Sequence, residues 1–426
     1  MFKNNLILLS YSFLWLIFLY FYKRKNERFT LGYVLIALYF VLSLLSIIAF
    51  NSEYSTDYFG NKLTLFPLLY LFLMMFITFV PLTTLKEQKL LYISIPSKNF
   101  CKYLCIFFGL FSLLEILGEL SDIQNGFSLL LSNSDDIADL YFDSTERRMS
   151  KRSFSGVFSI VGVISNLGSL IGPLIFYIYL LHNNRNKIVI FLASMTILQG
   201  FLHGVAVASR ALIALRLFTV LLLFFFFMPF MERKLKKKIK RIFFLGAIIS
   251  ISLLTIITVA RVNYSKQTSS YFNVTRYLGE GPIIFDNYCM DAHGTREGYH
   301  TATLFVYLLG KPILSESEKR FKFRDMTIDN SRFYTYVGDY VLDYGPETAF
   351  IIFIILSLLA FRSLRHKDGL CFSQVIIVYM VFRFCSSFHQ ASYTGIGGNI
   401  AFVFELMLAF FFLSPSVPEV KIYRKS

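Results

Sequence analysis

The chain has 426 residues, of which 55% are hydrophobic, 18% are aromatic and only 16% are charged. A soluble domain would carry about 25% charged residues, so this composition excludes an ordinary water-soluble globular protein. The formal net charge of +15 would suit a nucleic-acid partner, but the basic residues lie beside apolar segments, where anionic lipid attracts them. We therefore expect contact with the lipid bilayer and no nucleic-acid partner.

Apolar segments of roughly 20 residues recur along the chain, and each could cross a hydrocarbon core about 30 Å thick. Such segments predict helices, because a helix satisfies its own backbone hydrogen bonds in lipid. We predict an all-α integral membrane protein with about 11 transmembrane helices (11–12). The expected spans lie at about 5–22, 30–50, 63–82, 101–117, 156–181, 187–205, 208–230, 242–260, 346–361, 370–388 and 398–414.

The basic residues are divided unevenly between the connections. More than half of the 42 Lys and Arg residues fall beside the connections that follow odd-numbered spans, above all in ERKLKKKIKR, residues 232–241. Because positive charge stays on the cytoplasmic side, we expect the N-terminus outside and the C-terminus inside. The first span carries its basic residues after the apolar run, which predicts an uncleaved anchor rather than a removed signal peptide.

Two connections on the expected outer side are longer than the others. Residues 118–155 are expected to include an amphipathic helix at the membrane surface. Residues 261–346 are too long for an idle connection, and their apolar stretch Thr301–Leu309 indicates a re-entrant or surface helix within a folded outer subdomain. The chain is therefore divided into 1–260 with eight spans, the large loop 261–346, and 347–426 with three spans and a short tail.

Several charged or titratable side chains fall inside the predicted spans. Arg216, Arg383, Glu115 and His203 all lie in the outer half of the membrane, given a helical rise of 1.5 Å per residue. Charges in lipid are costly and generally face a partner or a functional cavity. Two interpretations stay open: a buried ion pair, such as Glu115 with Arg216 or Arg383, or a cavity that holds an anionic ligand.

The outer ends of two spans could also hold an anion. Ser209 and Arg210 begin one span, where free backbone N–H groups at a helix N-terminus favour negative charge. The sequence TGIGGN, which includes Gly397 and Gly398, precedes the last span and could present further N–H groups. A tight turn would equally explain these glycines. If the anion is a phosphate, arginine is a suitable partner, because its planar guanidinium group matches the geometry of phosphate oxygens.

The large outer loop closes in YTYVGDYVLDYG, residues 334–345, and is followed by Pro346 and Glu347. Proline in the first turn and an acid near the positive end are typical of a helix start. This start does not account for Asp339 and Asp343, which are expected just above the membrane on the same side as the buried arginines.

These features together resemble the O-antigen polymerase (Wzy-type oligosaccharide repeat-unit polymerase) family. The resemblance rests on the many spans, the Ser209–Arg210 pair, and the late outer loop with its motifs RYLGEG, residues 276–281, and YTYVGDYVLDYG. It implies a fold similar to GT-C-type membrane glycosyltransferases. It also implies an enzyme of lipopolysaccharide biosynthesis in the bacterial inner membrane, which joins undecaprenyl-pyrophosphate-linked oligosaccharide repeats at the periplasmic face.

The resemblance also implies the partners: undecaprenyl-pyrophosphate-linked oligosaccharides, and a chain-length regulator and flippase of the same pathway. The sequence shows no P-loop, dinucleotide fingerprint or metal-ligand spacing, so we expect no cofactor and no metal.

Departure of a lipid pyrophosphate develops negative charge that fixed cations can stabilise. The expected pyrophosphate-binding residues are Arg210, Arg216, Arg261, Arg276, Arg383, Gly397 and Gly398. A base within hydrogen-bond reach could activate the acceptor hydroxyl. The candidate catalytic residues are Asp339, Asp343, Glu280, His300 and His389.

Three other functions are compatible with parts of this pattern. An O-antigen ligase has the same chemistry and differs in its acceptor, so the sequence leaves polymerase and ligase open. A flippase or transporter of lipid-linked oligosaccharide should show repeat symmetry and cations in both halves of a cavity, whereas the cations here lie in the outer half. A structural scaffold would not need Arg216 and Arg383 inside its spans.

Overall fold

A computed structural model of the protein describes residues 2–25, 30–52, 59, 62–132, 157–183, 185–207, 209–264, 270–326, 334–365, 368–414 and 418–425. This part of the chain is helical apart from one small sheet. The first helices are α1 (Phe2–Lys25), α2 (Leu31–Phe50), α3 (Leu65–Thr84), α4 (Lys98–Gly118), α5 (Leu120–Ser132), α6 (Val157–Leu181), α7 (Lys187–Ala206), α8 (Arg210–Phe227) and α9 (Arg233–Tyr264). The later helices are α10 (Ser270–Ile284), α11 (Thr303–Leu308), α12 (Glu316–Lys322), α13 (Thr335–Tyr344), α14 (Pro346–Leu364), α15 (Phe372–Cys385) and α16 (Gly395–Phe411).

Nine helices of the described ranges are long and apolar enough to cross a membrane, namely α1 to α4, α6 to α9 and α14. The helices α15 and α16 are apolar but shorter. All eleven predicted spans therefore coincide with helices, and nine of them have a length that suits a bilayer. The protein is accordingly a helical, multi-pass membrane protein.

The described helices pack into two compact units, each built from segments that are distant in sequence. Unit 1 comprises Met1–Lys89, Thr268–Lys367 and Gln374–Leu406; unit 2 comprises Leu90–Gln267, Asp368–Ser373 and Met407–Ser426. Unit 1 thus combines the first three helices with α10 to α14 and with most of α15 and α16.

The core of unit 1 is aromatic where the first three helices meet. Trp15 is fully buried, and its ring stacks on Tyr39 with centroids 5.3 Å apart and meets Phe72 edge-on at 5.0 Å. Such offset and edge-on ring pairs add to the stabilisation from apolar burial. The hydroxyl groups of Thr78 on α3 and Tyr336 on α13 share a hydrogen bond of 2.6 Å, which links this core to the later helices.

The described residues of the predicted outer loop 261–346 are largely helical. Its first residues continue α9, and α10 packs along the candidate span α2. A Cβ atom on Gly279 would lie 2.5 Å from the backbone of Leu45, so the two helices approach as closely as their backbones allow. The helix expected within Thr301–Leu309 is present as α11, with Leu308 and Leu309 exposed.

In unit 2, α4 packs against α6 and α7, and α8 packs against α7 and α9. A three-stranded sheet was not predicted from the sequence: β1 (Tyr92–Pro96) pairs in parallel with β2 (Gly369–Leu370) and antiparallel with β3 (Glu419–Tyr423). Strand β1 lies in the connection after the third expected span, β2 lies where the expected span 370–388 begins, and β3 lies in the tail. Each strand is too short to give a recognisable strand pattern in the sequence. Its stability depends on pairing with strands that are distant in sequence.

One further expectation is corrected by the structure, and another is only partly covered by the described residues. The basic run 232–241, expected to connect two spans, is helical almost throughout and belongs to the single long helix α9. Lys and Arg are good helix formers, so the helix continues through the charged run. Of the expected amphipathic helix in 118–155, α5 supplies the first part, and residues 133–156 lie outside the described residues.

We predict that Gly279→Ala destabilises the protein by about 1–3 kcal/mol, because the added methyl group overpacks the contact between α10 and α2. Thermal unfolding of the detergent-purified full-length protein measures the effect. Gly246→Ala is the matched control, since no described atom beyond its own turn of α9 lies within 4 Å of its Cβ position. The control should be neutral or slightly stabilising, and equal melting temperatures for both variants would contradict the close packing.

Candidate functional site

The candidate site lies within unit 1, where three parts of the chain meet. These are α13, the residues 291–302 before α11, and the connection 386–394 between α15 and α16. Thr335 opens α13 at a φ of 67°, a strained conformation for a β-branched residue. Its N–H donates to the carbonyl of His389 at 3.1 Å, and its hydroxyl accepts from the N–H of Gly338 at 3.2 Å. These bonds hold the start of α13 against the connection 386–394.

A buried arginine bridges two carboxylates on the inner face of α13. Asp339 and Asp343 are four residues apart, so they lie on the same side of the helix, and both are buried. Arg296 Nε donates to Asp343 Oδ1 at 2.7 Å, and Arg296 Nη2 donates to the carbonyl of Asp339 at 2.9 Å and to its Oδ1 at 3.3 Å. Burial disfavours the charged form of Arg296, but the two carboxylates outweigh it and raise the pKa of Arg296.

The second carboxylate oxygen of Asp343 organises the preceding segment. It accepts from the backbone N–H groups of His300 and Thr301 at 3.2 and 2.6 Å, and from the Thr301 hydroxyl at 2.7 Å. With Arg296, these donors occupy both oxygens of Asp343. The arrangement indicates that Asp343 positions residues 296–301.

Asp339 has a different set of neighbours. Its Oδ2 accepts from the N–H of Ala391 at 2.8 Å, and its Oδ1 lies 3.4 Å from His300 Nε2. Burial acts to raise the pKa of Asp339, but the charge and hydrogen bond of His300, then Arg296 and the Ala391 N–H, together hold it below its usual range. Asp339 is therefore ionised at neutral pH, which makes it a weak base and a suitable partner for an imidazole. The His300 side chain is 30% exposed.

The end of α10 reaches the same region. Arg276 Nε lies 3.9 Å from Glu280 Oε2, with the arginine side chain 24% exposed and the acid buried. A Cβ atom on Gly281 would lie 2.8 Å from Thr335 Cγ2, which places this turn of α10 against the start of α13. His389 is buried, with its ring 4.3 Å from that of Tyr277 on α10. Arg276, Glu280 and His389 are thus brought together beside α13.

Arg383 is paired inside unit 1. Its guanidinium is buried in an ion pair with Glu405 of α16 and lies 4.6 Å from the centre of the Tyr393 ring. The Tyr393 hydroxyl donates to the other Glu405 oxygen at 2.5 Å. Arg383 thus forms a buried ion pair, one of the two expected interpretations, but its partner Glu405 was not predicted from the sequence. Glu405 is an isolated acid in the apolar run FVFELML, so its position in a predicted span was a usable signal.

The other predicted arginines belong to unit 2. Arg216 donates to the carbonyl of Ser169 at 2.5 Å and to its hydroxyl at 3.0 Å. Arg210 begins α8 with Ser209 as its N-cap, as predicted, but the side chains of Arg210 and Arg261 lie outside the described part of the structure. The structure does not group the five arginines in one unit. His203 Nδ1, a titratable side chain of the spans, lies 2.8 Å from Glu119 Oε1.

The glycine-rich turn is displaced from its predicted place. Helix α16 begins at Gly395, so Gly397 and Gly398 lie within its first turn and not in a preceding loop. The Cβ position of Gly398 is 2.7 Å from the backbone of Tyr393, so close packing explains this glycine. Asn399 was missed by sequence reasoning: its amide donates to the carbonyls of Thr301 and Tyr393 at 2.7 and 2.6 Å. An asparagine in a predicted span was the available signal.

Within the described residues, no group of three or more His, Cys, Asp or Glu side chains could hold a metal ion. Compared with known proteins, the chain matches no protein-family model, no curated protein and no solved structure.

We predict that Arg383→Met and Glu405→Leu are each destabilising by about 3–5 kcal/mol, because each leaves one charge buried without its partner. The double variant should recover most of this loss, since an apolar pair suits an apolar site. Thermal unfolding of the three proteins gives the coupling energy. Additive losses in the double variant would contradict a mainly structural pair.

We predict that Asp339→Asn lowers stability by about 2 kcal/mol at pH 7, through weaker hydrogen bonds to charged partners. Because the folded pKa of Asp339 is depressed, its ionic contribution is present above the unfolded value and is lost as pH falls through the folded value. The difference between the wild type and the variant should therefore shrink below about pH 4. Scanning fluorimetry between pH 3 and 7 tests this, and a constant difference would contradict it.

Proposed function

We propose that the protein polymerises undecaprenyl-pyrophosphate-linked oligosaccharide repeat units into O-antigen or a related surface polysaccharide at the periplasmic face of a bacterial inner membrane. The proposal is supported by the helical, multi-pass architecture and by the sequence resemblance. The observation that carries it is the partly exposed imidazole of His300, which lies against the buried, ionised Asp339. This pair could activate a sugar hydroxyl beside a membrane.

In the proposed reaction, His300 is the general base. Its Nε2 faces Asp339, so Nδ1 would accept the proton of the acceptor hydroxyl. The hydroxyl oxygen then forms a bond to the anomeric carbon of the donor sugar, and the bond from that carbon to the pyrophosphate oxygen breaks. The ionised Asp339 stabilises the imidazolium that forms, in the way that a buried carboxylate supports histidine in hydrolytic triads.

The departing lipid pyrophosphate requires cations. Arg276 is the described candidate for this role, because it is partly exposed in the middle of α10, about one turn before the residue that contacts the start of α13. Its neighbour Glu280 lies 3.9 Å away, and a guanidinium forms charge-assisted hydrogen bonds to phosphate. Arg210 and Arg261 stay candidates from the sequence alone, whereas the charge of Arg383 is accounted for by Glu405.

We predict that His300→Gln reduces polymer formation by about 10²–10⁴-fold, the usual contribution of a general base. The measurement is the rate of repeat-unit joining by the purified protein on lipid-linked oligosaccharide, together with the polysaccharide ladder of a complemented deletion strain. His293→Asn is the matched control, because His293 is an exposed histidine of the same segment with a φ of 55° that asparagine tolerates. A normal ladder from His300→Gln at normal expression would remove His300 from the mechanism.

Deletion of the gene distinguishes the possible reactions of a membrane enzyme in this pathway. Loss of a polymerase should leave a single repeat unit attached to the lipopolysaccharide core. Loss of a ligase should leave finished polymer on its lipid carrier, and loss of a flippase should leave neither product outside. Either of the last two outcomes would overturn the polymerase assignment.

A further inference from the structure

Unit 2 contains a cavity of about 580 Å³ that none of the proposed catalytic residues line. Its walls are residues 420–425, which include most of β3, the first turn of α4, and residues 181–183 at the end of α6. Four basic residues line it, and among its described lining residues there is no Asp or Glu. The four are Lys98, Lys421, Arg424 and Lys425.

The backbone that carries these cations is held in place on both sides. Strand β3 pairs antiparallel with β1. Beyond it, the N–H of Arg424 donates to the carbonyl of Leu91 at 2.8 Å, and the N–H of Lys425 donates to that of Pro229 at 2.9 Å. Lys98 is the first residue of α4, where the helix dipole adds positive potential. The cavity is thus a fixed pocket and not a mobile basic tail.

Two acids lie near these cations, and each also contacts another group. Glu232 lies 3.7 Å from Lys425 Nζ and 3.3 Å from Arg185 Nη2, so it is shared between two cations. Glu419, at the other end of β3, accepts from the N–H of Phe372 at 3.1 Å. His182 also lines the cavity and is buried, and its Nε2 has no hydrogen-bond partner among the described residues. The described lining of the pocket thus carries four basic side chains, no acid and a buried polar nitrogen.

We propose that this cavity binds a phosphate group, as carried by the headgroup of an anionic lipid. Lys98 begins α4 and Leu181 ends α6, and both helices are candidate membrane spans. The pocket consequently lies at the ends of spans, at the depth of lipid headgroups, where basic residues attract anionic lipid. Lysine and arginine form charge-assisted hydrogen bonds to phosphate, and Val420 and Ile422 supply apolar lining beside them. This site is independent of the proposed catalytic reaction.

The test measures lipid binding to the full-length protein in mixed micelles by native mass spectrometry. The probes are phosphatidylglycerol, phosphatidylcholine and inorganic phosphate. The triple variant Lys98→Gln/Lys421→Gln/Arg424→Gln should bind phosphatidylglycerol at least about tenfold more weakly than the wild type. The control is Lys311→Gln/Lys322→Gln/Arg324→Gln, which removes the same charge from exposed positions of the segment 311–324 in unit 1. It should stay within about twofold of the wild type.

The outcomes separate the sources of the phosphate. If millimolar inorganic phosphate displaces phosphatidylglycerol from the wild type, the pocket binds free phosphate as well. If it does not, the lipid headgroup is the ligand; both results support the site. Equal binding of phosphatidylcholine and phosphatidylglycerol, or an equal loss in the two triple variants, overturns it. Should the cavity triple variant fail to fold, Lys421→Gln and Arg424→Gln are tested singly, and binding unchanged in both refutes the proposal.

Discussion

Unit 1 depends on one constraint: two carboxylates on the inner face of α13 are buried together. Bringing Asp339 and Asp343 out of water is costly unless cations and hydrogen-bond donors replace the solvent. Arg296 supplies the charge and Thr301 supplies further donors. Because these partners come from the segment before α11, the segment can only take a path that presents them to α13. The position of His300 is a consequence of this pairing.

The same constraint applies where α15 and α16 meet. Arg383 and Glu405 are buried between apolar helices, and each satisfies the charge of the other. The connection 386–394 joins this pair to α13. The hydroxyls of Ser387 and Ser392 donate to the carbonyl of Arg383, and the N–H of Ala391 donates to Asp339. These hydrogen bonds join the surroundings of the two ion pairs through one short connection.

The sequence predicted the helices because apolar length and helix-start residues are local signals. Ser209 before α8 and Pro346 at the start of α14 lie where those signals placed them. The pairing of charges could not be predicted in the same way, since Arg296 and Asp343 are separated by many residues and only the fold brings them together. The strands β1 to β3 were missed for the same reason. Arg383 was identified as unusual from its place in a span, but its partner Glu405 was identified only from the structure.

Two acid–base pairs near α13 have the same arrangement of buried and exposed groups. In the Arg276–Glu280 pair and in the His300–Asp339 pair, the acid is buried and the basic side chain is partly exposed. Each carboxylate thus orients a nitrogen-bearing group towards the surface while its own charge stays inside. A site built in this way presents hydrogen-bond donors and a proton acceptor but no exposed carboxylate at these two pairs. In the reaction that we propose, Arg276 would face the pyrophosphate and the imidazole of His300 would activate the acceptor hydroxyl.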